Sequence, residues 1–177
     1  MGFKGLIASF EPVEREFLQL QRIFSKDSQW RGFHMALGEK SGSSKINVVP
    51  RLTVLSSLLE LSAAYPGVVA EDVEIRRLDE MFQAATQGLS APRVLLKMDT
   101  QGYDLKVFAG AQNCLGSIQA LMSELSVVPG YKDMPHYLES LALYEHAGFK
   151  LINLSVVGRT PEGALGDLNC LMQRGSN

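Results

Sequence analysis

The stretch that decides the fold is RVLLKMDTQGYDLKVFAGA, residues Arg93 to Ala111. It starts as a nearly continuous apolar run, breaks at Asp99, turns at Gly102 and resumes as an amphipathic segment. A continuous apolar run of this length is typical of a strand that is covered on both faces of a parallel sheet. The stretch therefore predicts a strand, a tight turn that carries an acid, and a helix.

The rest of the chain repeats this alternation. Short apolar runs bounded by glycine or polar residues predict strands, and apolar residues every three or four positions predict the helices between them. The predicted strands are LIASF (6–10), WRGFHMALG (30–38), a segment near Val73–Arg77, VLLKM (94–98), IQALMSELSVV (118–128), a segment 149–157, and DLNCLMQR (167–174). Together they predict a single α/β domain over residues 1–177, a three-layer sandwich around a mostly parallel sheet.

Composition narrows the class of protein. At 177 residues, with 46% hydrophobic and 20% charged residues, the chain has the composition of a globular domain. A net charge of −2 gives no general attraction to nucleic acid or anionic lipid. The two cysteines form no metal-binding motif with the histidines, and no apolar run approaches the roughly 20 residues of a membrane span. We expect a cytoplasmic protein without metal, nucleic-acid or membrane partners.

Three acids stand at the carboxyl ends of predicted strands: Glu11, Asp99 and Glu124. In open α/β sheets, ligands bind beyond these ends, and a carboxylate can accept hydrogen bonds from the hydroxyls of a ribose. An acid in such a place also caps or stabilises the following helix, or is a satisfied polar group near a sheet edge. The pattern of acids leaves both interpretations open and names no function.

A resemblance to a known family favours the ligand-binding interpretation of these acids. LLKMDTQGYDLKVFAGA (95–111) resembles the LKIDTQGYELEVLKGA pattern of the FkbM family of S-adenosylmethionine-dependent methyltransferases. IASFEP (7–12), MALGEKSG (35–42), LSVVPGY (125–131), EHAGFKLINL (145–154) and DLNCLMQR (167–174) extend the resemblance over nearly the whole chain. Asp104 replaces a glutamate that is usual in the family and keeps its charge.

The resemblance implies a Rossmann-like class I methyltransferase fold with strand order 3-2-1-4-5-7-6 and an antiparallel seventh strand. It also implies S-adenosyl-L-methionine as methyl donor, with the ribose on Glu11 and the adenine beside Ala36 and Leu37. Asp99, Gln101 and Gly102 would then lie beside the methionine end of the donor and the acceptor.

The implied reaction is attack of an acceptor oxygen on the donor's methyl group. A carboxylate can stabilise positive charge there or take the proton of a hydroxyl, with Asp99 the first candidate and Glu124 the second. The implied acceptor is a hydroxyl on a sugar or secondary metabolite, a small molecule or a glycan. The oligomeric state, a homo-oligomer included, stays open.

One part of the family pattern is missing. A first strand and a glycine-rich D-x-G-A-N-x-G loop should precede LIASF, where this sequence has only MGFKG. We therefore expect a domain that is incomplete at its N-terminus, with a gap one strand wide between LIASF and VLLKM and unpaired backbone groups on both sides. The alternative to an active methyltransferase is a catalytically inactive remnant that acts only in binding or association.

Overall fold

A computed structural model describes residues 3–175. Its strands are β1 (Ile7–Phe10), β2 (Trp30–Phe33), β3 (Ala36–Leu37), β4 (Gly42–Val48), β5 (Val69–Arg76), β6 (Val94–Met98), β7 (Ile118–Ser126), β8 (Phe149–Arg159) and β9 (Leu165–Arg174). Its α-helices are α1 (Glu14–Phe24), α2 (Leu78–Thr86), α3 (Asp104–Ala109) and α4 (Tyr137–His146), with short 3-10 turns at Thr53–Leu55 and Leu115–Ser117.

The strands form three sheets, with the orders β1-β2, β3-β5-β4 and β6-β7-β9-β8. The pairs β1·β2, β3·β5 and β6·β7 are parallel, and the other three are antiparallel. The chain is α/β, but the prediction of one mostly parallel sheet is wrong. The antiparallel pairs of β9 with β7 and β8 match the expected antiparallel seventh strand, since residues 160–164 are too short a link for a parallel crossover. The antiparallel pair that was not expected is β4·β5.

The largest sheet nevertheless has the predicted order. With β6 and β7 as the fourth and fifth strands, β9 is the antiparallel seventh strand and β8 the sixth, so β6-β7-β9-β8 reads 4-5-7-6. The predicted strand WRGFHMALG is two strands instead. Its first half pairs with β1 and its second half with β5, and a turn with a hydrogen bond from Met35 N to the Phe33 carbonyl (3.0 Å) separates them.

The main core lies between the β6-β7-β9-β8 sheet and helices α3 and α4. Phe108, Tyr144 and Phe149 are almost fully buried there, and the Phe108 ring meets the other two edge-on at 4.9 and 6.2 Å. Edge-to-face geometry of this kind adds stability beyond the burial of area. The core therefore fixes the position of the β6 and β7 carboxyl ends.

A second, smaller core joins α1's start to the β3-β5-β4 sheet through Val13, Ile46, Val48 and Val73. Helix α1 itself buries no residue fully. The region around β1 is thus less tightly packed than the region around β6.

The strands β1 and β6 do not pair with each other. A cavity of about 760 Å³ lies between them, and every residue of both strands lines it. Residues 3–175 therefore leave a gap between LIASF and VLLKM, where the sequence predicts one.

Among residues 3–175, no helix has the length and apolar character needed to cross a membrane.

Candidate functional site

The site begins with the turn that follows β6. Gln101 and Gly102 adopt left-handed backbone angles, with φ of 50° and 88°. A Cβ atom on Gly102 would lie 2.8 Å from Met134 Cγ and 3.1 Å from Leu59 Cδ1. Glycine is therefore required here both by backbone angle and by space.

Asp104, the first residue of α3, holds this turn from inside. Its side chain is buried, with 5% of the residue exposed. Oδ1 accepts hydrogen bonds from the Thr100 amide (2.9 Å) and the Thr100 hydroxyl, and Oδ2 accepts one from Ser123 Oγ (2.6 Å). Ser123 Oγ in turn lies 2.9 Å from the Tyr144 hydroxyl. The turn is thereby tied to β7 and α4.

Burial raises the pKa of Asp104, and the hydrogen bonds from Ser123 and Thr100 oppose that rise. From the sequence, Asp104 was noted only as a change from the family pattern, and its role in holding this turn was not predicted. An acid four residues after a threonine, in the first turn of a helix, is the signal that could have found it.

Gln101 brings two of the predicted acids together. Its Nε2 donates to Glu124 Oε2 at 3.1 Å and lies 3.5 Å from Asp99 Oδ1, while its Oε1 accepts a hydrogen bond from the Tyr131 hydroxyl at 3.1 Å. Ser57 Oγ donates to the Gln101 carbonyl at 2.7 Å. Asp99 and Glu124 therefore share one amide, and Tyr131 fixes its orientation. Neither Tyr131 nor Ser57 was predicted, although Tyr131 ends the LSVVPGY segment of the family pattern.

The two acids differ in protonation. Burial, reinforced by the negative charge of Asp99, raises the pKa of Glu124 to about 7. Burial also acts to raise the pKa of Asp99, but the hydrogen bond and charge of Lys97, 2.7 Å away, outweigh it and lower that pKa. Near neutral pH, Asp99 is ionised and Glu124 can accept or release a proton.

Glu11 follows β1 at the other side of the cavity. Its Oε1 accepts a hydrogen bond from the amide of Val13 at 2.8 Å, one residue before α1 begins. Burial raises the pKa of Glu11. A carboxylate has lone pairs beyond the one used in this bond, so the bond to Val13 does not prevent ligand binding.

The cavity between β1 and β6 brings most of the predicted donor-binding residues to one surface. Those that line it are Glu11, Ala36, Leu37, Asp99 and Gln101. Gly102 is not among the lining residues, and Glu124 reaches the cavity's edge through Gln101. The volume of about 760 Å³ lies within the range of cofactor and ligand pockets.

Within residues 3–175, no three histidine, cysteine or acidic side chains converge as a metal-binding group. The two carboxylates of the site, Asp99 and Glu124, both contact the side-chain amide of Gln101. The amide and carboxylates at this end of the cavity can exchange hydrogen bonds with an organic ligand, and Glu124 can accept or release a proton.

Comparisons with known proteins bear on the family and the fold. The family described as methyltransferase FkbM domain matches residues 1–151. The crystal structure of methyltransferase FkbM from Methylobacillus flagellatus KT resembles the fold with a TM-score of 0.51 and 16% sequence identity, over 93% of this chain and 36% of that one. The chain thus spans about a third of the length of that protein. The comparison with curated proteins gave no match.

Proposed function

Because the chain belongs to the FkbM methyltransferase family, we propose that it transfers a methyl group from S-adenosyl-L-methionine to a hydroxyl of a small molecule or glycan. The main support for this proposal is that Asp99 and Glu124 lie on the same Gln101 amide at the edge of the cavity between β1 and β6. The pKa of Glu124 there is about 7. This pairing offers one fixed negative charge and one proton acceptor in the same place.

The residues of the cavity fit the proposed methyl donor. Ala36 and Leu37 offer an apolar wall for an adenine ring, and Glu11 offers carboxylate oxygens to ribose hydroxyls. Asp99 and Gln101 would lie at the methionine end. When bound, S-adenosyl-L-methionine supplies a methyl group on a positively charged sulfur.

The chain's own residues then have two tasks. The ionised Asp99 favours positive charge beside the β6 carboxyl end, and the Gln101 amide contacts both Asp99 and Glu124. Glu124 takes the proton of the acceptor hydroxyl, because a pKa near the working pH suits a general base. Asp99 is the weaker proton acceptor since its pKa is lowered, so Glu124 replaces it as first candidate for the base.

Calorimetry with S-adenosyl-L-methionine, together with transfer of a labelled methyl group to a mixture of hydroxylated sugars and secondary metabolites, tests the assignment. We expect Asp99→Asn to weaken donor binding as well as transfer. Glu124→Gln should keep donor binding and lose about 10²–10⁴-fold in transfer, the usual contribution of a general base.

Glu60→Gln is the control, since Glu60 pairs with Lys132 at 2.7 Å on the exposed surface. The proposal fails if the unaltered chain, alone and extended upstream, gives no heat with the donor. The role of Asp99 is wrong if Asp99→Asn binds the donor normally and transfers methyl at full rate.

A further inference from the structure

Gln101 is the residue through which the two acids of the site meet, and its backbone has an uncommon conformation. Its φ of 50° lies in the left-handed region, which residues other than glycine rarely adopt. Such a conformation costs free energy and persists where the surrounding contacts fix it. Here Ser57, which is buried with 2% of the residue exposed, donates from its Oγ to the Gln101 carbonyl at 2.7 Å. The backbone of Gln101 is therefore held in place, and the direction of its side-chain amide decides what it offers to the acids.

The two ends of the Gln101 amide have opposite hydrogen-bonding character. The N–H2 end donates, and its nitrogen lies 3.1 Å from Glu124 Oε2 and 3.5 Å from Asp99 Oδ1. The carbonyl end only accepts, and Oε1 lies 3.1 Å from the Tyr131 hydroxyl. The acids attract the N–H2 end while Tyr131 donates to the opposite end, so both contacts favour the same direction of the amide.

Tyr131 is well placed to hold this direction because it is buried and fastened on both sides. Only 6% of the residue is exposed. Its flanking backbone is bonded to residues 60–62, since the Gly130 carbonyl accepts a hydrogen bond at 3.0 Å and the Lys132 amide donates one at 2.8 Å. The hydroxyl also lies 2.9 Å from the Leu55 carbonyl. The hydroxyl oxygen thus has a fixed position beside the amide.

The charges around Glu124 act against its ionisation. Three acids contribute, from the end of β6, the start of α3 and β9: Asp99, Asp104 and Asp167. Lys97 pairs with Asp99 at 2.7 Å. Tyr131 is neutral at ordinary pH because burial raises its pKa to about 12. The hydrogen bond from Gln101 works in the other direction, since a donor to a carboxylate favours the ionised form.

We propose that Tyr131 is a positioning residue for Glu124: its hydroxyl holds the Gln101 amide with the N–H2 group toward the Glu124 carboxylate, which favours the form that accepts a proton. Tyr131 acts through Gln101 and not on the substrate. The catalytic meaning of this inference rests on the proposed function, in which Glu124 is the base. The link from Tyr131 to Glu124 is a property of the folded chain and is measured without methyl transfer.

Carbon-13 nuclear magnetic resonance of the full chain, labelled at the glutamate carboxyl carbons, measures the titration midpoint of Glu124. The Glu124→Gln variant assigns its signal. We expect Tyr131→Phe to raise the midpoint by about 0.5–1 pH unit, because the amide loses the donor that holds its direction and the carboxylate loses part of its hydrogen bond. Gln101→Met removes that hydrogen bond outright and should raise the midpoint by about one unit or more.

The double variant shows whether Tyr131 acts through the amide. In the Gln101→Met background, Tyr131→Phe should add no further shift of the midpoint. An equal shift in both backgrounds overturns the proposal, because Tyr131 would then act on Glu124 without Gln101. An unchanged midpoint in Tyr131→Phe also overturns it. So does a Gln101→Met midpoint that stays or falls, and this result decides the matter even if Tyr131→Phe does not fold.

The pH profile of methyl transfer separates this inference from the proposed function. In Tyr131→Phe, the rise of transfer with pH should move upward by the same amount as the titration midpoint of Glu124. If the midpoint moves as expected but the chain transfers no methyl group at any pH, the proposed function fails and the link through Gln101 stands. If the chain transfers methyl groups and the midpoint does not move, the positioning role of Tyr131 is wrong and the proposed function stands.

Discussion

The carboxyl ends of β6 and β1 follow the same sequence pattern, an apolar run and then an acid, yet they differ in how firmly they are held. After β6, the buried Asp104 ties Thr100 to Ser123, and Gln101 joins Asp99 to Glu124. After β1, Glu11 accepts one hydrogen bond from the next turn of its own chain segment. The difference arises because β6 lies in a four-stranded sheet that covers the main core, whereas β1 lies in a two-stranded sheet with β2.

The strongest way to break this comparison is Asp104→Ala. The variant leaves the Thr100 amide and the Ser123 hydroxyl without their acceptor in a buried place, so we expect a loss of about 3 kcal/mol or more in the free energy of unfolding. Urea unfolding measures it. Asp104→Asn keeps one acceptor and should lose less.

Glu11→Ala is the matched test at β1. It removes a single, partly buried hydrogen bond and should cost about 0.5–1.5 kcal/mol. If Asp104→Ala cost no more than Glu11→Ala, the two carboxyl ends would be equally well held and the comparison would be wrong.

Gly110→Ala tests the contact between the end of α3, which follows the β6 turn, and the segment just after β3. A Cβ atom on Gly110, at the end of α3, would lie 2.0 Å from the carbonyl oxygen of Gly38, just after β3. That neighbour is backbone, so one segment must move, and we expect a loss of about 1–3 kcal/mol from overpacking. Thermal unfolding should show the loss.

Gly116→Ala is the control for this prediction, because a Cβ atom there meets nothing within 4 Å. Equal melting temperatures for the two alanine variants would mean that α3 and the segment after β3 do not make this close contact.

Tyr144→Phe tests how much the outermost hydroxyl contributes to the hydrogen bonds that join Asp104, Ser123 and Tyr144 behind the β6 end. Ser123 keeps its bond to Asp104, so only the 2.9 Å contact between Ser123 and Tyr144 is lost. We expect a cost of about 1 kcal/mol in urea unfolding, the usual net value of one hydrogen bond. Tyr65→Phe, at an exposed tyrosine, should leave stability unchanged; an equal cost there would show that the Tyr144 hydroxyl adds nothing specific.

The sequence was most informative where local pattern and packing agree. The β6 strand and the Gly102 turn could be predicted because an apolar run and turn residues lie within a short stretch. The 4-5-7-6 order could be predicted only from the family resemblance. The division of residues 30–38 into β2 and β3 could not, since each half pairs with a strand distant in sequence.

The site follows the same rule. Proximity of Asp99 and Glu124 could be expected because both stand at the carboxyl ends of neighbouring parallel strands. The roles of Tyr131 and Asp104 could not, because a hydroxyl from a loop and a buried acid become meaningful only through contacts across the fold.

The smallest expected effect is on the pH dependence of stability at Glu124. Its pKa rises from an ordinary 4.5 to about 7 in the folded protein, so the folded state holds more protons than the unfolded state between these values. Stability therefore falls as pH rises through this range. Glu124→Gln removes that loss. Between pH 5 and pH 8, the free energy of unfolding of the variant should therefore fall less than that of the unaltered chain, by about 1 kcal/mol or less, which corresponds to at most about 2–4 °C in Tm. Melting curves at the two pH values measure this difference, with Glu60→Gln as the exposed control. If Glu124→Gln and Glu60→Gln shifted alike with pH, Glu124 would not hold the raised pKa that separates the β6 end from an ordinary surface acid, and its choice as the base would lose its support.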